Sequence, residues 1–200
     1  MIKLYDFKSS PNCQRVKVVL AEKNLLYEIA PIDLRKGEQK SSEYLKLNPY
    51  GKVPVLVDDS TALYESCIIN EYLNEKYPNP PLMPADLGKR AKVRILIDYG
   101  MAHLDGPYQK LRMELMKDQK EQDPQVVDAA KSDLRKLLQH LESEIGDHPY
   151  LCGDFSLVDA ALIPRFIRLE GFGVLPDASL PRLGSYLQRM KKRPSVRVIL

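Results

Sequence analysis

The chain has 200 residues, enough for one large domain or two small ones, and its 44% hydrophobic and 28% charged content is that of an ordinary soluble protein. No apolar run approaches the roughly 20 residues of a membrane span, and the start turns polar by Asp6, unlike a secretory signal. Three cysteines, odd in number and far apart (Cys13, Cys67, Cys152), fit reduced cytoplasmic thiols and not a disulfide framework, and three scattered histidines offer no metal-ligand spacing.

In chain order, the first 77 residues alternate strand and helix signals. Ile2–Phe7 reads as a strand. The turn "SSPNCQR" (Ser9–Arg15) follows it, and a helix is expected over Asn12–Lys23, with Val16, Val19 and Leu20 at helical spacing. Tyr27–Ile32 reads as a second strand, followed by a charged irregular stretch and a short helix near Ser42–Leu47. "VPVLVDDSTALYES" is a hairpin signal, two apolar runs about an Asp58-Asp59-Ser60 turn. A helix over Ser66–Tyr77 closes this half. The order predicts a four-stranded sheet with a parallel first pair and an antiparallel last pair.

Four prolines between Pro78 and Pro84 end the helix and stiffen a linker, expected over residues 78–85. Beyond it only helical periods appear: Asp86–Met116, Pro124–Glu144, Leu157–Arg168 and Pro181–Lys191. Two domains are therefore expected, 1–77 and 86–200, an α/β domain followed by an all-α one. Ser156 and Asp159 form a Ser-x-x-Asp capping box before an apolar helix. The net charge is +3, with much of the excess in the cluster Arg189, Lys191, Lys192, Arg193 and Arg197. A solvated helix end, favoured by the helix dipole, explains that cluster better than a nucleic-acid patch.

The strand, turn and helix around Ser9–Arg15 make a thiol-chemistry layout, yet Ser10 stands at the first position of what would be a Cys-x-x-Cys pair, leaving Cys13 alone. From the residues themselves, Glu65-Ser66 at the turn into a helix suits either a carboxylate ligand or a plain N-cap. Val53-Pro54 at a strand entry is, on its own, a trans bond by about nineteen to one.

Taken together, "SSPNCQR", "NPYGKVPVLVDD", "LYESCIINEYL", the proline linker and "GDFSLVDAALIPR" resemble the cytosolic glutathione transferase superfamily over nearly the whole chain. The resemblance implies a thioredoxin-like N-terminal domain and a helical C-terminal domain. It implies attack of the glutathione thiolate on a small electrophile or a peroxide, with glutathione as co-substrate and no other cofactor and no metal. It places Ser10, with Ser9 as runner-up, at the catalytic serine, whose hydroxyl donates to the bound thiolate. Cys13 is then packing or a redox-sensitive bystander. Tyr5 lies within the strand, before the turn, and is discounted as a tyrosine-type catalyst.

The same resemblance implies a cis bond before Pro54, with Val53 pairing to the peptide, and Glu65 and Ser66 holding the γ-glutamyl end. Lys52 and Lys40 are candidates for the glycyl carboxylate. Asn12, Tyr99, His103 and Tyr108 are candidates for a second-substrate wall, the last three doubling as helix-packing groups. A homodimer is expected, on the resemblance and on the length of the helix beginning at Asp86. Several segments, including "FSLVDAALIPRFIRL", also resemble the stringent starvation protein family, which shares the fold and acts as a non-enzymatic regulator bound to RNA polymerase. That family lacks the serine-Pro turn present here.

Overall fold

The computed structural model describes residues 1–175 and 177–200. Contacts group them into two compact units, one of Met1–Leu82 with Lys192–Leu200, the other of Met83–Lys191.

The first unit is built on a four-stranded sheet in the order β2-β1-β3-β4, with β1 (Ile2–Asp6) parallel to β2 (Tyr27–Pro31) and antiparallel to β3 (Val55–Asp58), and β3 antiparallel to β4 (Thr61–Tyr64). This is the expected topology, and strand chemistry explains it. Ile2, Leu4 and Asp6 alternate onto one buried face of β1, and Asp59-Ser60 makes the two-residue β3–β4 turn, with Asp59 at φ 55°, which Asp tolerates. Helix α1 (Pro11–Glu22) buries Val16, Val18, Val19 and Leu20 completely. It also pairs Lys17 Nζ with Asp6 Oδ2 at 2.7 Å, both side chains buried. Helix α2 (Ser42–Leu47) follows a single 3₁₀ turn at Glu38–Lys40, and α3 (Ser66–Lys76) packs beside α1.

Lys23 reaches the chain after α3, donating to the carbonyls of Tyr77 (2.7 Å) and Pro80 (2.8 Å). The first prolines beyond α3 are thereby tied to this unit. So is the end of the chain. A short helix α9 (Pro194–Arg197), for which residues this close to the terminus give no periodic signal, lies on α1, with Arg193 Nε donating to Glu22 Oε2 at 2.9 Å and Val196 fully buried.

The second unit is helical: α4 (Leu87–Tyr99), α5 (Asp105–Leu115), α6 (Pro124–Ile145), α7 (Leu157–Gly171) and α8 (Pro181–Lys192). The single helix expected from Asp86 to Met116 is in fact α4 and α5 joined by a π-helical turn at Gly100–Leu104. The cause is Pro107, which has no N–H for the His103 carbonyl and whose ring crowds it, so the turn before it widens. A Cβ at Gly100 would collide with the Leu162 side chain, so that glycine permits close approach to α7. Nearly all of α7 is buried, and its start is closed by the expected capping box. Among the described residues, no helix is long and apolar enough to cross a membrane.

Candidate functional site

Ser10 is the N-cap of α1, in extended backbone with Pro11 as the first helical residue. Its Oγ accepts from the Cys13 amide at 3.4 Å, and its own N–H donates to the Phe7 carbonyl at 2.7 Å, which tightens the turn. A hydroxyl that accepts one bond still has its proton to donate. Ser10 is half-buried and Ser9 exposed. Neither α1 nor α3 carries an acidic residue in its first turn, so their own side chains do not neutralise the positive poles of these helices.

Cys13 is completely buried in a cluster with Tyr44, Val53 and Val55. Burial pushes its thiol up to about 12, against a bond accepted from the Phe7 amide at 3.5 Å. That thiol stays protonated at neutral pH and is no nucleophile. Burial likewise raises Cys67, opposed by the nearby charge of Arg15, and pushes Cys152 up to about 11.

The contacts of Cys13 lead to the loop before β3. Val53 is buried, and the Val53-Pro54 peptide bond is cis, as the resemblance implied. The loop is clamped through one atom: the Lys52 carbonyl accepts from Tyr44 Oη and from Asn48 Nδ2, each at 2.8 Å. Asn48, itself buried, also accepts from the Tyr50 amide at 3.0 Å and from the Gly51 amide at 2.9 Å. Gly51 has φ +58°, and a Cβ there would stand 2.8 Å from Lys40 Nζ and 2.9 Å from the Gln39 carbonyl. The Lys40 side chain thus lies over Gly51, next to Lys52 in the chain, and both lysines are exposed. Lys40 and Lys52, far apart in sequence, are brought together.

At the start of α3, Glu65 is the N-cap but makes no side-chain capping bond. Its φ is +66°, a strained conformation for a non-glycine residue, costing about 1–3 kcal/mol. Ser66 behind it is buried, and its Oγ accepts from Arg15 Nη1 at 3.4 Å. Arg15 is buried too, and its carbonyl accepts from Asn70 Nδ2 at 3.4 Å, so one arginine ties α1 to the start of α3. Among the described residues, the buried side-chain oxygens of this unit without a protein partner include Asn12 Oδ1 in the first turn of α1, Gln39 Oε1, Asn70 Oδ1 in α3 and Asp6 Oδ1 in β1.

Ser10, Lys40, Lys52, Val53, Pro54, Glu65 and Ser66 thus sit on one connected frame. The sequence reading passed over Tyr44 and Asn48, which hold it, and took Arg15 only as a marker of the serine-Pro turn motif. The Asn in "NPYGK" was the nearest available signal.

The three second-unit candidates lie otherwise. Tyr99 donates through Oη to the Leu137 carbonyl at 3.0 Å and sits between the rings of His103 (4.9 Å) and His140 (4.5 Å). Tyr108 is buried, stacked on Phe172 at 5.6 Å with the Arg165 guanidinium 4.2 Å from its ring centre. Tyr99 faces α6 and Tyr108 faces α7; only His103 is exposed. Among the described residues, no group of three or more His, Cys, Asp or Glu is placed to hold a metal.

Residues 4–81 match the family profile "Glutathione S-transferase, N-terminal domain" and residues 106–194 match "Glutathione S-transferase, C-terminal domain". Glutathione S-transferase 3 of Zea mays is 37% identical over 202 residues, covering 97% of this chain and 90% of that protein. The stringent starvation protein A homolog of Pasteurella multocida is 34% identical over 194 residues, covering 96% of this chain and 86% of its own length. Among solved structures, glutathione transferase F7 from Populus trichocarpa superposes with a TM-score of 0.88 at 25% identity, over 100% of this chain and 97% of that one. On these grounds, and on the fold just described, the chain belongs to the glutathione S-transferase family.

Proposed function

We propose that this protein is a serine-type glutathione transferase, with Ser10 as the group that stabilises the bound thiolate. The observation that carries the reading is the contrast at the start of α1: a half-exposed hydroxyl caps the helix, while the cysteine three residues on is buried and protonated. The turn has no usable nucleophile of its own, so the nucleophile arrives with the substrate. A free thiol has a pKa of about 8.5. A hydroxyl donor and a helix N-terminus both favour its ionised form. The thiolate sulfur then forms a bond to an electrophilic carbon and the displaced group leaves with its electron pair, or it attacks a peroxide oxygen and the O–O bond breaks.

The tripeptide carries three charged ends, and the frame offers a group for each. Glu65, bent out by its strained backbone, takes the α-ammonium, and Ser66 with the first amides of α3 takes the neighbouring carboxylate. The Val53 backbone pairs with the cysteinyl segment like an added strand. Lys52 and Lys40 receive the glycyl carboxylate. Ser9 is the alternative thiolate donor, and Asn12 and His103 are the candidates left with unsatisfied or exposed polar groups for the second substrate. The protein works in the cytoplasm as a homodimer. Support for pairing comes from large apolar side chains left exposed in both units, Ile68 and Tyr50 in the first and Ile95 in the second.

Calorimetric titration with glutathione tests the reading: binding in the micromolar to millimolar range is expected, about 4–8 kcal/mol. The 34% identity to a stringent starvation protein homolog favours a second reading, a regulator that binds RNA polymerase and not glutathione. Absence of heat at millimolar glutathione, with recovery of the intact protein on RNA polymerase, selects that second reading. Sedimentation at tens of micromolar should give about twice the 22.8 kDa of one chain; a strict monomer contradicts the dimer.

A further inference from the structure

A cleft of about 440 Å³ opens in the second unit between the loop that ends α6 and the exposed face of α8. On α8, Arg182, Ser185 and Arg189 fall at i, i+3 and i+7, a spacing that puts all three on one side of a helix. The opposite side, Leu183, Tyr186, Leu187 and Met190, is buried. Across the cleft stand Asp147 and His148, after Gly146 has broken α6 with φ +51°.

The frame around this cleft is rigid. The buried Glu142 carboxylate accepts from the first amides of α8, Arg182 N at 2.9 Å and Leu183 N at 2.8 Å. Tyr186 Oη donates to the buried Asp159 at 3.1 Å. Arg189 Nε donates to the Pro149 carbonyl at 2.9 Å and so pins the loop to the helix. That bond uses one of the five N–H groups of the guanidinium.

Two guanidiniums line the cleft. Of the two carboxylates beside them, buried Glu142 has both oxygens occupied by the amides of Arg182 and Leu183, and Asp147 is almost wholly exposed and reaches Arg182 only at 3.5 Å. Among the described residues no carboxylate pairs with Arg189. Two forked cations, a hydroxyl between them and an imidazole opposite are the donor set that suits a tetrahedral dianion. We propose that this cleft binds a phosphate group, either inorganic phosphate or the phosphate of a small monoester, at a site separate from the glutathione frame. A single carboxylate carries half the charge and fewer acceptors, and binds here more weakly.

The test is an amide-resolved NMR titration of the intact protein at constant ionic strength with inorganic phosphate, phenyl phosphate and acetate. Saturable shifts at Gly146, His148 and Ser185 are expected for both phosphates, with a dissociation constant of about 1 mM or tighter. Tighter binding of phenyl phosphate identifies a monoester as the natural ligand; equal binding identifies phosphate itself. Acetate should bind about tenfold more weakly or worse, since one charge-assisted bond is worth at least that factor. R189Q removes a fork, and S185D sets a negative charge in the cleft while keeping both arginines. Both sites are exposed; S185D should keep its thermal midpoint, and each variant should lose phosphate affinity by about tenfold or more. Shifts that stay linear with concentration, acetate binding equal to phosphate, or S185D binding like the wild type would overturn the proposal.

Discussion

Helices α7 and α3 each begin with a serine and an acid close together, and they use the pair in opposite ways. At α7 the pair is closed on itself. Asp159 accepts from the amides of Ser156 (2.8 Å) and Leu151 (3.1 Å) and from the hydroxyls of Ser156 (3.2 Å) and Tyr186 (3.1 Å), all buried. At α3, Glu65 caps nothing, stands exposed, and holds a backbone conformation that costs energy, while Ser66 accepts from the buried Arg15. Polar groups that satisfy one another build a fold. Polar groups held apart at a cost, with capacity unspent, build a site.

The largest effect that follows is at the closed end. Asp159→Ala leaves two amides and a tyrosine hydroxyl without their acceptor in the core, at about 1–3 kcal/mol each. Urea unfolding should show a loss of about 3–5 kcal/mol after allowing for non-additivity. Complete burial pushes Asp159 up to about 6, above its ordinary 3.8, against the bonds it accepts. A raised folded value means that its share of stability is full below about pH 4 and is lost as the pH rises to about 6. The unfolding free energy of the Asp159→Ala variant should lack that decline. If the variant unfolds like the wild type, the closed end is not structural and the comparison fails.

The open end should respond in the reverse sense. Glu65→Gly removes the strain of φ +66°, so the fold should gain about 1 kcal/mol or stay level, because glycine adopts that conformation freely. The same change removes the carboxylate offered to the α-ammonium, and glutathione should bind about 1.5–3 kcal/mol more weakly by calorimetry. Unchanged affinity would return Glu65 to a plain cap.

The smallest effect sharpens the contrast within α1. Cys13→Ala removes a buried sulfur from the cluster with Tyr44, Val53 and Val55, at about 1–2 kcal/mol of stability. Conjugation measured at saturating glutathione should change by less than about twofold, far below the tenfold that a lost charge-assisted bond implies. A large fall in activity would make Cys13 a participant.

Much of the fold is written locally. Period-two strands, the Asp-Asp-Ser turn, the proline run and the Ser156/Asp159 box each declare themselves within a few residues. The parallel first pair and antiparallel last pair follow from the element order; the pairing of β1 with β3 does not. The π turn before Pro107 needed the consequence of one missing N–H carried back four residues. The return of Lys192–Leu200 onto α1 is a contact between opposite ends of the chain, and no local pattern carries it. The site divides in the same way. Ser10, Val53-Pro54, Glu65 and Ser66 stand in short motifs. Arg15, Tyr44, Asn48 and the placing of Lys40 over Gly51 arise from pairings between elements and became legible only with the fold. The positive φ of Glu65 leaves no trace in residue type.

On the function proposed above, the Ser10 hydroxyl, at the mouth of α1, holds the glutathione sulfur as a thiolate. The measurement that reaches it most directly is the pKa of the bound thiol, read as thiolate ultraviolet absorbance against pH in the wild type and in the Ser10→Ala and Ser9→Ala variants. Ser10→Ala should bind glutathione nearly as before, since the other contacts remain. Its bound thiol should titrate about one to two units higher, the equivalent of one hydrogen bond to a charged group, and conjugation at neutral pH should fall about ten- to hundredfold in step. Ser9→Ala should match the wild type. A bound thiol that titrates at the wild-type value in Ser10→Ala, with conjugation intact, would contradict the account.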